Sequence, residues 1–405
     1  MQWKKEVDLN YVKSLDFMLV GIILYFLIAM LFDKPMAFIG IGIFAGFVGI
    51  YKIYDKNMDR RIVMKDEPQV IKLFPGETSA LEMNMENTSF FPMINGELKL
   101  QIGSPIKAYT IQQDEKEYNN LFRIPLSLMQ KKKITLSYPI VAEQRGVARI
   151  SEIRYEFPHL LSFNRIGLRY IPAYQTEFIV FPKLLPVTGI ERVFHMVPGQ
   201  GRTNNSPFED IQDPLGTRDY HYSDPFHQIN WKASVKSQAL QTNVYQKVVD
   251  MSYVFIVNLG ESSKTSMTTF NKELEKLMSY TAYLSEYAAK NNLPFEIHIN
   301  ARKHGDIPYV HLTEGSGKVH YGKTLEMLAR ISKQTMTVPL KQMLYSLGKQ
   351  ITKPKTIVFI GDAPAEALHV MGTWKQKQHS IFQVHHLNDA AVAKPLEREM
   401  MRRAT

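Results

Sequence analysis

The chain has 405 residues, no cysteine and a formal net charge of +10, with 45% hydrophobic and 11% aromatic residues. Its length allows two or three domains, its composition excludes a disordered chain, and the missing cysteines exclude disulfides, thiolate catalysis and zinc sites with sulfur ligands. Basic residues are spread along the chain instead of being clustered with aromatics, so the charge favours acidic partners or anionic surfaces and gives no support for nucleic-acid binding.

Two uncharged apolar runs, residues 17–32 and 36–51, are separated by Asp33-Lys34-Pro35. Extended slightly at their ends, they predict transmembrane helices at about 15–33 and 36–54, which form a hairpin within residues 1–60. A buried helical hairpin of a soluble core and a signal peptide are the alternatives. A signal peptide is followed by a small-residue cleavage site and not by a second apolar run.

Lysine and arginine flank the two runs, and only Lys34 lies between them. By the positive-inside rule, both ends of the hairpin face the cytoplasm. The sequence therefore predicts a multi-pass protein of the plasma membrane, with the lipid bilayer as a partner and the bulk of the chain in the cytoplasm.

Short runs of alternating apolar and polar residues fill residues 66–185. Clear examples are residues 80–85, 96–100, 134–138 and 146–155. Runs of this length, broken by Gly, Pro and Asn, predict a β-sandwich domain.

Residues 186–245 are predicted to form a linker and a loop. From 246 to 392, continuous apolar runs typical of buried strands alternate with amphipathic helices, as at residues 253–259 and 357–360. This alternation predicts an α/β domain with a doubly wound parallel sheet. Residues 393–405 are predicted to be a basic tail that is a short helix or disordered.

The densest group of polar and aromatic side chains lies in residues 216–244, which as a whole have neither strand nor helix periodicity. Residues 229–233 alternate between apolar and polar side chains and predict a short strand. So many polar groups are costly in a core unless they bond to each other. The sequence therefore predicts an internally bonded loop in which two basic side chains pair with two carboxylates. The basic residues are Arg218 and Lys236, and the acidic residues are Asp219 and Asp224.

This run resembles the signature of the bacterial domain of unknown function 58 family, roughly G-x-x-R-x-Y-x-x-G-D-x-x-R-x-I-D-W-x-x-S-A-R. The matching residues are Arg218, Tyr220, Asp224, Ile229, Trp231 and Ser234. The chain departs from the signature where the family has Gly, Arg, Asp and Arg, at Ser223, His227, Asn230 and Lys236. Shorter similarities at residues 74–77, 144–147 and 180–182 extend the resemblance to the predicted β-sandwich.

The resemblance implies that the α/β region is similar to a von Willebrand factor A domain. Such domains often bind a divalent metal with a D-x-S-x-S motif after the first strand, because hard cations take carboxylate and hydroxyl oxygens. The corresponding run here is Asn258-Leu259-Gly260-Glu261-Ser262, in which an amide replaces the carboxylate. The residues left from such a site are Asn258, Ser262 and Asp362, so neither a metal nor another cofactor is predicted.

Relatives that this chain resembles are commonly encoded beside MoxR-type AAA+ ATPases and transglutaminase-like membrane proteins. The resemblance thus implies a membrane-anchored cytoplasmic adaptor that partners such an ATPase in envelope-related assembly, and not an enzyme. The alternative is a metal-dependent hydrolase with a site between the signature loop and Asp362. No G-x-S-x-G nucleophile motif supports catalysis. The signature residues then have a structural or binding role, with no catalytic member: Arg218, Tyr220, Asp224, Asn230, Trp231, Ser234 and Lys236.

Overall fold

The computed structural model of the protein describes residues 2–6, 20–21, 23–28, 35–65, 67–108, 121–161, 164–194, 209–222, 224–247, 252–260, 267–387 and 390–396. The chain divides into two compact units, Met1–Phe181 and Pro182–Thr405. Strand accounts for 40% and helix for 32% of the structure. The unit boundary lies close to the predicted end of the β-rich region at residue 185.

Among its described residues, the N-terminal unit combines the long helix α1 (Pro35–Arg61) with eleven strands. In chain order the strands are β1 (Trp3–Glu6), β2 (Ile62–Lys65), β3 (Val70–Leu73), β4 (Thr78–Asn87), β5 (Met93–Ile102), β6 (Ile106–Ala108), β7 (Leu121–Leu128), β8 (Lys133–Ala142), β9 (Gly146–Pro158), β10 (Arg165–Tyr170) and β11 (Glu177–Val180).

These strands form two sheets around one hydrophobic core. A seven-stranded sheet has the path β1-β10-β9-β11-β3 with β5 and β7 branching from β9, and a four-stranded sheet has the order β2-β4-β8-β6. Buried side chains of both sheets, such as Leu81 of β4 and Leu98 and Tyr155 of β5 and β9, belong to a single cluster. The alternation of buried and exposed positions along β4 and β5 follows from having one face on this core.

The second apolar run does not end at residue 54 but continues as α1 to Arg61, and its second half packs into protein. Tyr51, Tyr54 and Met58 are buried, and both tyrosine rings contact the ring of His159, with centroids 4.5 and 4.6 Å apart. Asp55 of α1 forms an ion pair with Lys5 of β1. Tyr51 and Tyr54, at the end of the second predicted span, are therefore buried within the N-terminal unit.

Within the residues that the structure describes, no helix combines the length and the apolar composition needed to cross a bilayer. The predicted transmembrane hairpin is therefore wrong, and the predicted multi-pass localisation in the plasma membrane is contradicted with it. Most of the first predicted span, about 15–33, lies outside the described residues, which there include only the helical residues 20–21 and 23–28.

The C-terminal unit contains nine strands and six α-helices among its described residues. The strands are β12 (Val187–Thr188), β13 (Glu209–Asp219), β14 (Gln241–Lys247), β15 (Tyr253–Val257), β16 (Phe295–Arg302), β17 (Tyr309–Gly315), β18 (Thr356–Ile360), β19 (Ser380–Leu387) and β20 (Ala390–Pro395). The helices are α2 (Ile190–Phe194), α3 (Trp231–Ser237), α4 (Met267–Lys290), α5 (Gly317–Arg330), α6 (Leu340–Gln350) and α7 (Ala365–Gln376).

Seven of these strands form one sheet in the order β12-β20-β19-β18-β15-β16-β17. The four central strands, β19, β18, β15 and β16, are parallel, and every residue of β15 and β18 is buried, as expected for strands covered on both faces. The edges differ, because β17 runs antiparallel to β16 and β20 antiparallel to β19. The prediction of a doubly wound parallel sheet is therefore wrong: the sheet is mixed.

The predicted basic tail begins inside this sheet. Residues 390–395 form β20 at the place where a tail from residue 393 was expected, and residues 397–405 lie outside the described residues. On one face of the sheet, α6 and α7 close a core that includes Leu344, Trp374 and Phe359.

Candidate functional site

Residues 216–247, here called the signature module, are built on an antiparallel pair of strands. Arg218 of β13 lies opposite Thr242 of β14, and Asp219 lies opposite Gln241. Between the strands come a 3-10 turn at Phe226–Gln228 and the helix α3. Ile229 also bridges to Thr242, so the connection folds back onto the strand pair that carries it.

Arg218 and Asp224 form a two-pronged ion pair across the start of this connection. Arg218 donates from Nη1 to Oδ2 and from Nη2 to Oδ1 of Asp224, each at 2.7 Å, and the His221 amide donates to Oδ2 at 3.0 Å. The hydrogen bond from Arg218, followed by that from His221, lowers the pKa of Asp224 below its ordinary value. The Asp224 carboxylate is thus held ionised with both oxygens engaged.

Asn230 begins α3 and corrects the expectation of a strand at residues 229–233. Its Oδ1 accepts from the amide of Ala233 at 3.0 Å, which is a helix N-cap, and its Nδ2 donates to Oδ1 of Asn243 at 2.8 Å. The cap explains why residues 231–237 are helical although the alternation predicted a strand. The side chain therefore both starts the helix and ties it to β14.

Ser234 and Gln241 connect α3 to β14 by hydrogen bonds. The Ser234 hydroxyl donates to the carbonyl of Asn230 at 2.8 Å and accepts from the amide of Gln241 at 2.8 Å. Gln241 in turn donates from Nε2 to Oδ1 of Asp219 at 2.6 Å. The Asp219 carboxylate therefore accepts from an amide side chain, where one of the two cations Arg218 and Lys236 was predicted.

The remaining signature residues differ in exposure. Tyr220 is half-buried, and its amide donates to the carbonyl of Leu240 at 2.9 Å. Trp231 and Lys236 lie on α3 with exposed side chains. Ser223, one of the departures from the signature, lies outside the described residues. The structure thus joins Arg218, Asp224, Asn230 and Ser234 by hydrogen bonds within the module, whereas Trp231 and Lys236 are exposed on α3.

Several apolar side chains of the signature module, here called the ring patch, are exposed. Its members are Tyr222, Phe226, Trp231, Val235 and Leu240. Trp231 is 59% and Phe226 69% exposed, and their rings meet edge to face with centroids 6.0 Å apart. Trp231 and Val235 are four residues apart and therefore share one face of α3. Sequence reasoning found Trp231 but missed the other members, which could have been recognised as apolar residues inside a polar run.

Two residues of the degenerate metal motif, Asn258 and Asp362, take part in a hydrogen-bond network at the carboxyl ends of the parallel strands. Asn258 follows β15, and its Oδ1 accepts from the Gly260 amide and from Nδ2 of Asn300, both at 3.0 Å. Its Nδ2 donates to the main-chain carbonyl of Asp362 at 2.7 Å. The amide at position 258 is used both as donor and as acceptor, which a carboxylate cannot do.

Asp362 contributes its carbonyl oxygen to this network, and the residue is exposed. Ser262 and Glu261 lie outside the described residues. Across the described part of the chain, no group of three His, Asp or Glu residues could hold a metal ion. Within the described residues, the contacts that support the signature module and those of Asn258 are formed by different residues.

Two members of this network were missed from the sequence. Asn300 is fully buried in β16, and its Oδ1 accepts from the amide of Leu259 at 2.7 Å. Gly361 has φ +108°, and a Cβ atom there would lie 2.6 Å from the carbonyl oxygen of Asn258. Both could have been recognised in the sequence, because Asn300 is a polar residue inside an apolar strand and Gly361 directly follows one.

No family model and no curated protein matches the chain. Among solved structures, the chain is similar to Escherichia coli alpha-2-macroglobulin in its native conformation, with 14% identity and a TM-score of 0.21 over 31% of this chain and 7% of that one. Salmonella alpha-2-macroglobulin reacted with methylamine gives 14% identity and 0.19 over 34% and 9%. The CARDB domain of a Pyrococcus furiosus protein gives 10% identity and 0.17 over 30% and 92%. Scores this low carry no argument about fold or function, and the chain spans less than a tenth of either macroglobulin.

Proposed function

We propose that this protein is an adaptor that binds a partner protein through the ring patch of the signature module, and that it is not an enzyme. The proposal rests on a contrast between the polar and the aromatic side chains of the module. The polar side chains of Arg218, Asp224 and Ser234 bond to the module itself, whereas the rings of Phe226 and Trp231 are exposed.

The hydrogen-bonded side chains of the module are poorly placed to act as catalytic groups. A general acid or base must have an atom free to reach the proton it transfers. Both oxygens of Asp224 accept charge-assisted or main-chain hydrogen bonds, and the Ser234 hydroxyl both donates and accepts. These contacts hold the shape of the module, which supports a binding role over a catalytic one.

The ring patch has the composition of a protein-binding surface. Clustered exposed apolar side chains mark interaction sites, and tryptophan and tyrosine contribute most of the binding energy at many interfaces. Lys232 and Lys236 are exposed on α3 beside the patch, four residues apart. A partner that fits would present an apolar pocket bordered by Asp or Glu.

The partner that the family resemblance implies is a MoxR-type AAA+ ATPase, acting in envelope-related assembly. Its binding to the immobilised full-length chain can be measured with and without ATP. We expect Trp231→Ala to weaken binding about tenfold or more, because hot-spot rings contribute about 2 kcal/mol or more. Val319→Ser is the matched control, since Val319 is an exposed apolar residue on another helix, α5.

The outcome is decided by binding and melting together. Trp231→Ala should melt as the unmodified protein does, because the ring is exposed, and Val319→Ser should bind normally. Undiminished ATPase binding by Trp231→Ala would contradict the proposal, and so would hydrolytic turnover that Asp224→Asn abolishes without changing the melting temperature.

A further inference from the structure

A gap in strand pairing lies along β9 of the N-terminal unit. On one side of β9, β10 pairs with residues from Arg154 to Pro158, and β11 pairs with residues from Gly146 to Arg149. The residues between them, 150–153, lie opposite neither strand. The segment that joins β10 to β11 passes beside this gap, and together they line a pocket of about 700 Å³.

A β-bulge opens β9 at the same place. On its other side β9 pairs with β5, and the register shifts between Gln101, opposite Glu152, and Ile102, opposite Ile150. Ser151 therefore has no counterpart on β5. Ile150 and Ile153 are both buried despite their odd spacing, and Ser151 is exposed between them. Bulges of this kind redirect side chains and interrupt pairing, and they are frequent beside binding sites.

The rim of the pocket is basic. Three cationic side chains line it, those of Lys4, Arg149 and Arg169, against one lining carboxylate, Glu152. Arg169 is 57% exposed and lies 3.1 Å from Glu152, and Arg149 is 71% exposed and is bonded to Glu177 at 2.8 Å. Lys4 forms no ion pair within the described residues. Glu152 is also bonded to Arg154 at 2.9 Å, and Glu6 lies 4.0 Å from Arg154. The four basic residues Lys4, Arg149, Arg154 and Arg169 therefore exceed Glu6, Glu152 and Glu177 by one positive charge.

We propose that this pocket binds an extended acidic peptide segment of a partner, in which carboxylate side chains alternate with apolar ones. The carboxylates would pair with Lys4 and Arg169, and the apolar side chains would pack on Ile171 and Pro172. The gap spans four residues, or about 13 Å of strand at roughly 3.3 Å per residue, which suits a short extended segment. Addition of a strand to an unpaired stretch is a common mode of peptide recognition.

This site is independent of the ring patch, because it belongs to the other unit of the chain. The probe is a fluorescein-labelled peptide of three alternating Glu-Val pairs, titrated with the full-length protein and followed by fluorescence anisotropy. We expect saturable binding that weakens as salt is added, because the charges are exposed. A Lys-Val peptide of the same length should not bind.

Charge reversal tests the assignment of residues. Lys4→Glu and Arg169→Glu should each weaken binding of the Glu-Val peptide by about tenfold or more. Arg165→Glu is the matched control, since Arg165 lies on the same strand, is 73% exposed and lies outside the pocket lining. It should leave the dissociation constant within about twofold. Melting temperatures exclude misfolding, and Lys4→Glu breaks no ion pair of the described residues.

Inorganic phosphate separates a peptide site from a site for small anions. Displacement of the peptide only by phosphate in large excess supports the proposal. If phosphate binds more tightly than the peptide, if the peptide does not bind, or if Arg165→Glu weakens binding as much as Arg169→Glu, the proposal is overturned.

Discussion

Asn258 and Asn300 bond to each other across neighbouring parallel strands, with Nδ2 of Asn300 3.0 Å from Oδ1 of Asn258. Because Asn258 also donates to the carbonyl of Asp362, the pair connects the ends of three strands, β15, β16 and β18. Position 258, where the D-x-S-x-S motif has its carboxylate, is therefore used here for a structural cross-link made of amides.

Asn258→Asp should destabilise the C-terminal unit. A carboxylate cannot donate to the Asp362 carbonyl and would face it with a negative charge, so we expect a loss of about 1–3 kcal/mol in the free energy of unfolding. Urea denaturation measures this loss. The unmodified protein should show no rise in melting temperature with millimolar magnesium. If Asn258→Asp is fully stable and gains several degrees with magnesium, the network is a metal site and the structural reading is wrong.

Gly361→Ala should also destabilise this unit. The added methyl group would meet the Asn258 carbonyl oxygen at 2.6 Å, and φ at +108° is a conformation that side chains other than glycine avoid. Gly322→Ala in α5 is the matched control, because its Cβ would have nothing within 4 Å. That change should stabilise the unit by about 1 kcal/mol, since alanine is the better helix former. Thermal melting of both variants decides whether the close contact exists.

Arg218→Ala and Asp224→Ala should each lower the melting temperature, because each leaves the other charge without its two-pronged partner. The double variant should lose less than the sum of the single losses. The Arg218 side chain is 47% exposed, so the effect should be modest compared with that of a buried pair. Unchanged melting of both single variants would show that the ion pair does not stabilise the module.

Stability of the N-terminal unit should fall in mild acid because of His159. Burial lowers its pKa to about 4, against about 6.5 when unfolded, and its Nδ1 accepts from the amide of Leu161. The unfolded chain therefore binds the proton more readily, and stability is complete above about pH 6.5 and declines as the pH falls towards 4. His159→Gln should flatten the slope of melting temperature between about pH 7 and 5. His227→Gln, at an exposed position, should leave the slope unchanged.

Local alternation predicted part of the fold well. The strands predicted at residues 80–85 and 146–155 are present inside β4 and β9, and the apolar run 357–360 lies in β18. These elements could be predicted because each buries one face or both faces of a regular strand, which fixes the residue pattern directly.

Features that depend on distant contacts could not be predicted. The apolar run of α1 was predicted to span a membrane, but the helix continues beyond the run and packs Tyr54 and Met58 into a core that the run itself does not reveal. The direction of β17 and β20 depends on neighbouring strands and not on their own residues. In the site, the ion pair of Arg218 with Asp224 was predicted, because the two opposite charges lie close together in sequence. Asn258 with Asn300 was not, because their positions are 42 residues apart.

The pairing of β12 with β20 limits when the C-terminal unit can fold during synthesis. Val187 and Thr188, the first strand of the C-terminal unit, lie opposite Ala391 and Val392, which the ribosome makes about two hundred residues later. The strands described for the N-terminal unit have all been translated by Val180. The first unit can therefore fold while the second is still being made, and the second must wait with an incomplete sheet until residue 395 emerges.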